Sequence, residues 1–442
     1  MSNQNLDHPP IESPRTLEAR AQRNPIKRVF KILGPGLVTG ASDDDPSGIA
    51  TYSTVGAGYG YSCLWMALFT FPLMLSVQYI CSKVGLVTGR GLAGVLRRHY
   101  HPGILWTSVV LLTVANVINA GTDIAAMAAG VNLIFPAVSP KVALFPISLA
   151  LLISLMFFSY KHLAGVFKWL TLSLFAYVVT AFICRIDAAT VLKDTLIPNI
   201  SWQPGYVAAL VAILGTTISP YLFFWQANSE VDEQKDAGMR RVKDRKGASE
   251  ADLKYAIADI AVGMFFSNLV MYFIIMTTAA TLFKNGQFHV DSAAQAAKAL
   301  EPLLGSFAKY LFAAGFIGTG FLAVPVLTGS AAYAIAESLD WPCGFSEKCV
   351  DAKGYYWLIG VSILAAAGLS LINVNAMQAL YWTAILNGIL APPLLLLLML
   401  VSNNEVIMGR RTNSTLVNAG GWSAFVIMTV AAGLFFWSSL AK

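Results

Sequence analysis

The amino-acid sequence predicts an all-α polytopic membrane protein with about eleven transmembrane helices, arranged as two inverted halves of five helices plus one additional helix. Of its 442 residues, 56% are hydrophobic and only 12% are charged, and the mean hydropathy is +0.62. Soluble domains carry about 25% charged residues. The first and the sixth apolar segments are each interrupted by polar and helix-breaking residues. We therefore expect a membrane-embedded bundle in which helices 1 and 6 are broken.

Windows of about 20 mainly apolar residues define the expected spans. The spans are 29–59, 63–82, 103–135, 142–159, 163–184, 207–227, 253–283, 304–334, 355–372, 377–401 and 422–437.

The remaining segments predict the orientation of the chain. Residues 1–25 are polar and lack the apolar core of a signal peptide, so we expect a disordered cytoplasmic tail there. Basic residues concentrate in the loops at 90–98 and 240–246. The positive-inside rule then predicts a cytoplasmic N-terminus and an extracytoplasmic C-terminus. The net charge of +6 is explained by these loops, and no nucleic-acid partner is expected.

The two interruptions divide the chain into repeats. Residues 26–202 form the expected first repeat (helices 1–5), residues 203–402 the second (helices 6–10), and residues 403–442 the additional helix 11. Five spans separate the two breaks, so the second half crosses the membrane in the opposite sense. Broken helices at matching positions of inverted halves are typical of secondary transporters, whose binding site lies near the membrane midplane.

The first break contains three consecutive aspartates, Asp43, Asp44 and Asp45, followed by Pro46. One carboxylate at the bilayer centre costs roughly 2.5 to 3.5 kcal/mol, so three cost on the order of 8 to 10 kcal/mol without compensation. Broken backbone at this depth occurs only where it lines a cavity or is buried in protein. We expect a cation site with Asp45 as a direct ligand, and Asp43 and Asp44 beside it or in the vestibule. An extracellular loop is disfavoured, because residues 29–42 are too few to cross alone.

The sixth span is interrupted before Pro220, and this break offers further oxygen atoms. We expect the freed carbonyl of Thr216 and the hydroxyls of Thr217 and Ser219 to be metal ligands. The alternative for each hydroxyl is a hydrogen bond to its own helical turn.

The third span carries Asn116, Asn119 and Asp123, spaced three and four residues apart and therefore on one helical face. This face is expected to point into the bundle. Three interpretations of Asp123 stay open: a proton relay, a residue of the cation pathway, or a structural carboxylate paired with a neighbouring helix.

Amides cluster around the ninth-to-tenth connection and within the tenth span, at Asn373, Asn375, Gln378 and Asn387. Gln378 is expected to line the site from above, although hydrogen bonding between helices explains these amides equally well. Asp259, near the start of the seventh span, is expected to be a vestibule or structural residue.

Three segments of the sequence resemble a known family of transporters. Segments 34–36, 45–48 and 215–221 are similar to the NRAMP divalent-metal transporters, and the resemblance extends over nearly the whole chain. It implies a LeuT-type 5+5 inverted repeat. It also implies that Asp45 matches the coordinating aspartate and that Thr216 matches the residue whose carbonyl binds the metal.

Three ligand positions depart from the family pattern. Gly48 replaces an asparagine, Ser219 a methionine and Tyr221 a histidine, while the third span keeps Asp123 but has Ala126 in place of a glutamate. The ninth span lacks an expected arginine. Thioether sulfur selects transition metals over magnesium, and Mg²⁺ usually keeps several waters. The wider, oxygen-lined site resembles that of the NRAMP-related magnesium transporters, a branch that carries Mg²⁺ and also Mn²⁺.

The expected function is therefore transport of Mg²⁺ and Mn²⁺ by alternating access, as partly hydrated ions. The lost histidine, glutamate and arginine are acid–base groups, so we expect no proton coupling. The alternative is a proton-coupled Mn²⁺/Fe²⁺ transporter. An intramembrane aspartyl protease using Asp45 and Asp123 is disfavoured because its paired motifs are missing, and an amino-acid symporter would not need three acidic residues. We expect a monomer in the cell membrane, without enzymatic activity or a cofactor.

Overall fold

The computed structural model describes residues 12–157, 172–184, 186–372 and 374–440. The predicted fourth and fifth spans lie partly outside these residues, and Asn373 lies wholly outside them. The described residues are almost entirely helical. The main helices are α1 Pro14–Ala21, α2 Pro25–Ile32, α3 Pro35–Asp43, α4 Pro46–Tyr59, α5 Trp65–Thr88, α6 Leu92–His99, α7 Pro102–Ile134, α8 Pro140–Phe157, α9 Phe175–Ile183, α10 Ala188–Leu196, α11 Pro204–Thr217, α12 Pro220–Asp236, α13 Glu250–Thr281, α14 Ala308–Leu339, α15 Lys353–Ser370, α16 Ala376–Ser402 and α17 Thr415–Leu440.

Seven helical segments in the described part of the chain are long and apolar enough to cross a membrane. None of the other four predicted spans is a single described helix that meets both the length and the apolarity criterion. The first is divided between α3 and α4, the fourth is the shorter helix α8, the fifth is described only from residue 172, and the ninth is the 18-residue helix α15. Together these segments account for the eleven-span arrangement expected from the sequence.

The first predicted break is confirmed between α3 and α4. The helix stops because Pro46 has no N–H to donate to the carbonyl of Ser42, four residues earlier. Asp45 has extended dihedrals (φ −70°, ψ 171°) and is the N-cap residue of α4. Its side chain accepts a hydrogen bond from the Gly48 N–H at 2.7 Å, which satisfies one of the free donors at the new helix start. The chain thus leaves one helix and begins another at the aspartates.

The second predicted break is confirmed between α11 and α12, by the same mechanism. Pro220 has no N–H to donate to the carbonyl of Thr216, and Ile218 leaves the helical region with φ −121° and ψ 60°. Helix α12 then starts at Pro220, a favoured residue for the first helical position. Both breaks therefore release a backbone carbonyl from its helical hydrogen bond, and side-chain hydroxyls contact it instead: Tyr221 donates to Ser42 at 3.3 Å, and Ser219 lies 3.0 Å from the Thr216 carbonyl.

Glycines beside each break allow neighbouring helices to approach closely. A Cβ atom on Gly40 of α3 would lie 2.3 Å from backbone atoms of Gly263 on α13. On the other side, a Cβ atom on Gly215 of α11 would lie 2.0 Å from the backbone oxygen of Ala384 and 2.4 Å from the nitrogen of Gly388, both on α16. Small residues permit such contacts between membrane helices. The two broken helices are thereby held against α13 and α16.

The N-terminal segment differs from its prediction as a disordered tail. Its described part contains α1, whose N-cap Ser13 accepts a hydrogen bond from the Thr16 N–H. The backbone N–H and hydroxyl of Ser13 donate to Asp252 at 3.0 and 2.7 Å. The prediction was wrong here because composition shows low hydrophobicity, but it does not show a polar docking partner such as Asp252.

Candidate metal site between the two helix breaks

Asp45 lies inside the bundle, with 2% of its surface exposed. Its Oδ1 atom accepts hydrogen bonds from the Ser47 hydroxyl at 2.6 Å and from the Gly48 N–H at 2.7 Å. The Tyr221 hydroxyl at the start of α12 donates to the carbonyl of Ser42, three residues before Asp45, at 3.3 Å. The carboxylate is therefore fixed by the start of α4 and faces the start of α12, the other broken helix.

Gly48 and Thr216 form the contact between the breaks. A Cβ atom on Gly48 would lie 3.0 Å from Thr216 Oγ1, 3.3 Å from the Tyr52 ring and 3.6 Å from the carbonyl oxygen of Asp43. The Tyr52 hydroxyl lies 3.4 Å from Thr216 Oγ1. Position 48 is therefore closely surrounded by oxygen atoms of both broken helices and by the Tyr52 ring, and a side chain there would press against them.

The hydroxyls of Thr217 and Ser219 form hydrogen bonds within their own helical turns, which is the alternative to metal binding that the sequence left open. Thr217 Oγ1 donates to the carbonyl of Ile213 at 2.8 Å, one turn back in α11. Ser219 Oγ lies 2.8 Å from the carbonyl of Gly215 and 3.0 Å from that of Thr216. Both hydroxyl protons are thus directed to their own helix, which leaves the oxygen lone pairs available to a cation.

Asp43 and Asp44 share one hydroxyl group from α13. Ser267 lies 2.7 Å from Asp43 Oδ2 and 3.2 Å from Asp44 Oδ1. Asp43 is fully buried, and its Oδ1 atom has no hydrogen-bond partner among the described residues. The structure therefore places all three aspartates inside the bundle, with Asp43 and Asp44 turned toward α13 and Asp45 toward α12.

The polar face of α7 points into the bundle, as the spacing predicts. Asn116 donates to the carbonyl of Leu327 at 2.9 Å, and Asn119 donates to the side-chain oxygen of Asn387 at 2.8 Å. Asp123 is fully buried, and neither carboxyl oxygen has a hydrogen-bond partner within the described residues. The two asparagines thus connect helices, whereas Asp123 has no such structural bond.

Gln378 is not brought to the site, contrary to its prediction. It is exposed in the first turn of α16, where its N–H donates to Asn375. Asn387 is the buried amide of this helix. Nine residues separate the two, which corresponds to about 13 Å along a helix. The polar residue of α16 that lies within the bundle is therefore Asn387.

Three residues near the site were not predicted from the sequence: Tyr52, Ser267 and Gln226. Tyr52 follows Gly48 by four residues and shares its helical face, which is a signal that the sequence does contain. Ser267 is a single hydroxyl in an apolar stretch of α13, and its contact with the aspartates depends on how α13 packs against α3. Gln226 pairs with Thr39 across the two broken helices at 2.5 Å.

No group of three or more His, Cys, Asp or Glu side chains that could hold a metal ion occurs in the described ranges. A cation beside Asp45 would therefore need other oxygen atoms as well. The available kinds are the freed backbone carbonyls, the hydroxyls of Thr216 and Tyr221, and water.

Comparison with known proteins identifies the family. The profile described as natural resistance-associated macrophage protein-like, the NRAMP family, matches residues 36–438. The chain belongs to this family. A divalent metal cation transporter MntH of Klebsiella pneumoniae (strain 342) is 30% identical over 324 residues, which are 71% of this chain and 73% of the relative. A relative of the same name from Caldanaerobacter subterraneus is 26% identical and covers 67% of this chain and 69% of its own.

Solved structures agree with the LeuT-type fold of this NRAMP chain. A manganese transporter of Eremococcus coleocola superposes with a TM-score of 0.72 at 17% identity, covering 96% of this chain and 88% of that one. A nucleobase-cation-symport-1 family transporter in a closed conformation superposes with a TM-score of 0.58 at 11% identity, covering 92% and 93%. The predicted inverted-repeat fold with two broken helices is thus confirmed.

Proposed function

We propose that this protein carries divalent metal ions across the membrane by alternating access, with Mg²⁺ as the main substrate and Mn²⁺ as a second one. Its NRAMP membership and the relatives named divalent metal cation transporters support the divalent substrate. The observation that carries the proposal is the buried Asp45 carboxylate, fixed at the junction of two helix breaks. Buried charge at this depth needs a counter-charge.

The preference for Mg²⁺ follows from the chemistry around Asp45. The neighbouring groups from the two breaks are carboxylate, hydroxyl and carbonyl oxygens, with Ser219 at the position where the family has a methionine. Oxygen donors suit hard ions, whereas thioether sulfur favours softer metals. A glycine in place of the family's asparagine removes one side-chain ligand, so we infer that retained water fills that position on Mg²⁺. We therefore propose that Asp45 and Thr216 bind a partly hydrated ion beside Gly48, with the hydroxyl oxygens of Thr217 and Ser219 as further ligands.

Transport without proton coupling is the second part of the proposal. Tyr221 and Ala126 occupy the family's histidine and glutamate positions in this chain, and the ninth span has no basic residue. The membrane potential alone provides about 2.3 kcal/mol per charge at 100 mV, hence about 4.6 kcal/mol for a divalent ion. This corresponds to roughly three decades of accumulation. The cation gradient thus needs no second ion.

A proton-coupled transporter of Mn²⁺ or Fe²⁺ is the competing function, and one observation favours it. Asp123 is buried without a hydrogen-bond partner among the described residues, which is the environment of a carboxyl group that binds and releases a proton. In the proposed mechanism Asp123 instead lies on the cation pathway, while Asn116 and Asn119 connect helices. The solved relative named a manganese transporter is compatible with either function.

The remaining assignments complete the proposal. Residues 26–202 and 203–402 are the two repeats that rearrange around the site, and residues 403–442 contain the additional eleventh span. The N-terminus lies in the cytoplasm and the C-terminus outside, in a monomer within the cell membrane. The end of the bundle that holds residues 12–34 is then the cytoplasmic end.

Uptake into liposomes tests this function. Purified protein is reconstituted with a metal indicator and a pH probe in the lumen, and a negative potential inside is set with K⁺ and valinomycin. We expect saturable uptake of Mg²⁺ and Mn²⁺, mutual competition, and no change in lumenal pH. Mn²⁺ uptake that acidifies the lumen and that excess Mg²⁺ does not inhibit would establish the proton-coupled function instead.

A further inference from the structure

Arg15 of α1 lies among three carboxylates at the N-terminal end of the bundle. Its guanidinium nitrogens are 3.5 Å from Glu230, 3.1 Å from Glu233 and 3.3 Å from Asp259. The arginine side chain is only 9% exposed, and those of Glu230 and Asp259 are fully buried. A single cation therefore bridges acidic groups from both α12 and α13.

The same contacts connect Arg15 to the start of α3. Asp259 accepts hydrogen bonds from the backbone N–H groups of Gly34, Gly36 and Leu37 at 2.8 to 3.0 Å, which fixes the first turn of α3 on α13. The guanidinium also packs on this turn, because a Cβ atom on Gly34 would lie 2.4 Å from it. Arg15 thus touches the supports of α3 and α12, the two half-helices on this side of the site.

A row of buried, hydrogen-bonded polar side chains continues from Arg15 toward Asp45. Gln226 of α12 donates to Glu230 at 3.0 Å and accepts from Thr39 of α3 at 2.5 Å. Thr39, Gln226 and Glu230 are each fully buried. The two half-helices are therefore in contact along the route from the site to this end of the molecule, and that route is closed.

We propose that α1 is a latch that keeps this route closed, with Arg15 as its closing residue. While Arg15 is inserted, it holds α12 against α13 and, through Asp259, against α3. When it withdraws, the buried carboxylates of Glu230 on α12 and Asp259 on α13 lose this shared counter-charge, which favours separation of α12 from α3. The inference rests on the proposed transport by alternating access, since a latch acts only on a route that opens.

Cysteine accessibility measures this closure without any metal present. The reporter is Thr39→Cys, placed in protein whose five native cysteines are replaced by alanine, and the probe is a membrane-impermeant maleimide. We expect Arg15→Ala to accelerate labelling of the reporter at least tenfold. Arg15→Gln, which keeps side-chain hydrogen-bond donors but not the charge, provides the same test if Arg15→Ala does not fold. The matched control is Arg20→Ala, since Arg20 belongs to the same helix but is 53% exposed.

A second reporter separates local opening from general loosening. Native Cys81, retained as the single thiol, is fully buried in α5 and should label slowly in every variant. Labelling at position 39 within twofold of the Arg20→Ala control would overturn the latch. Equal acceleration at Cys81 would overturn it too, because α1 would then stabilise the whole bundle. Since labelling needs no ion, a failure of Mg²⁺ uptake in the parent protein would refute the proposed function separately.

Discussion

Asp45→Asn is the sharpest perturbation that the structure offers, because it removes the charge and keeps the fold of the break. Asp45 accepts hydrogen bonds from Ser47 and Gly48 through one oxygen, and asparagine retains such an oxygen. Asparagine and aspartate are about equally good N-cap residues. The start of α4 should therefore be preserved. Asp45→Ala is less specific, since it also removes the cap, at a cost of about 1 kcal/mol.

The expected loss of ion binding follows from electrostatics. A Mg²⁺ ion bound by Asp45 lies no more than roughly 4 Å from the centre of the carboxylate charge. At an effective dielectric constant of about 20, a divalent ion and a unit charge at this distance attract by about 8 kcal/mol. The hydration of the ion offsets much of this attraction. If about a third of it remains, near 2.7 kcal/mol, removal of the charge weakens binding about 100-fold.

The assay is Mg²⁺ and Mn²⁺ uptake into liposomes, together with the thermal unfolding midpoint of the same preparation. We expect uptake by Asp45→Asn to fall to background while the midpoint is unchanged or higher. Asp187→Asn is a matched control, because Asp187 is the N-cap of α10 in the same way but lies outside the bundle. Mg²⁺ uptake by Asp45→Asn within threefold of the parent protein would refute the assignment of Asp45 as the ion's ligand.

Two further predictions concern selectivity and stability. Gly48→Asn combined with Ser219→Met should raise the ratio of Cd²⁺ to Mg²⁺ uptake at least tenfold, because the new side chains replace retained water by an amide and a thioether. The control is Gly58→Asn, on the open side of α4. A double variant whose uptake ratio equals that of this control would contradict the reasoning. Asp259→Ala leaves Arg15 and three N–H groups of α3 without their acceptor, and should lower the free energy of unfolding by about 3 kcal/mol. In a thermal unfolding assay this corresponds to a midpoint about 3 °C lower. The control is Asp351→Ala at an exposed position, which should change the midpoint little. Equal midpoints for Asp259→Ala and this control would show that α3 does not depend on Asp259.

The local features of the site were predictable from the sequence. Pro46 and Pro220 lack the N–H that the preceding turn requires, and each follows polar residues and a glycine within its span, so the sequence favours a break at both positions. Aspartates inside an apolar span must be enclosed, since lipid offers them no counter-charge. The helix breaks, the burial of Asp45 and the inverted-repeat fold all follow from such local or solvent-driven rules, and the structure and the comparisons agree with them.

The sequence did not determine the side-chain rotamers at the site or the contacts between distant helices. Thr217 and Ser219 direct their protons to their own turns, a choice among rotamers that composition does not determine. Gln378 lies at an exposed helix start although its residue type suits a polar cavity. Arg15 is part of a polar segment that resembles any solvated tail until Glu230, Glu233 and Asp259 converge on it from two distant helices. Such contacts join residues more than two hundred positions apart, so only the packing of the bundle decides them.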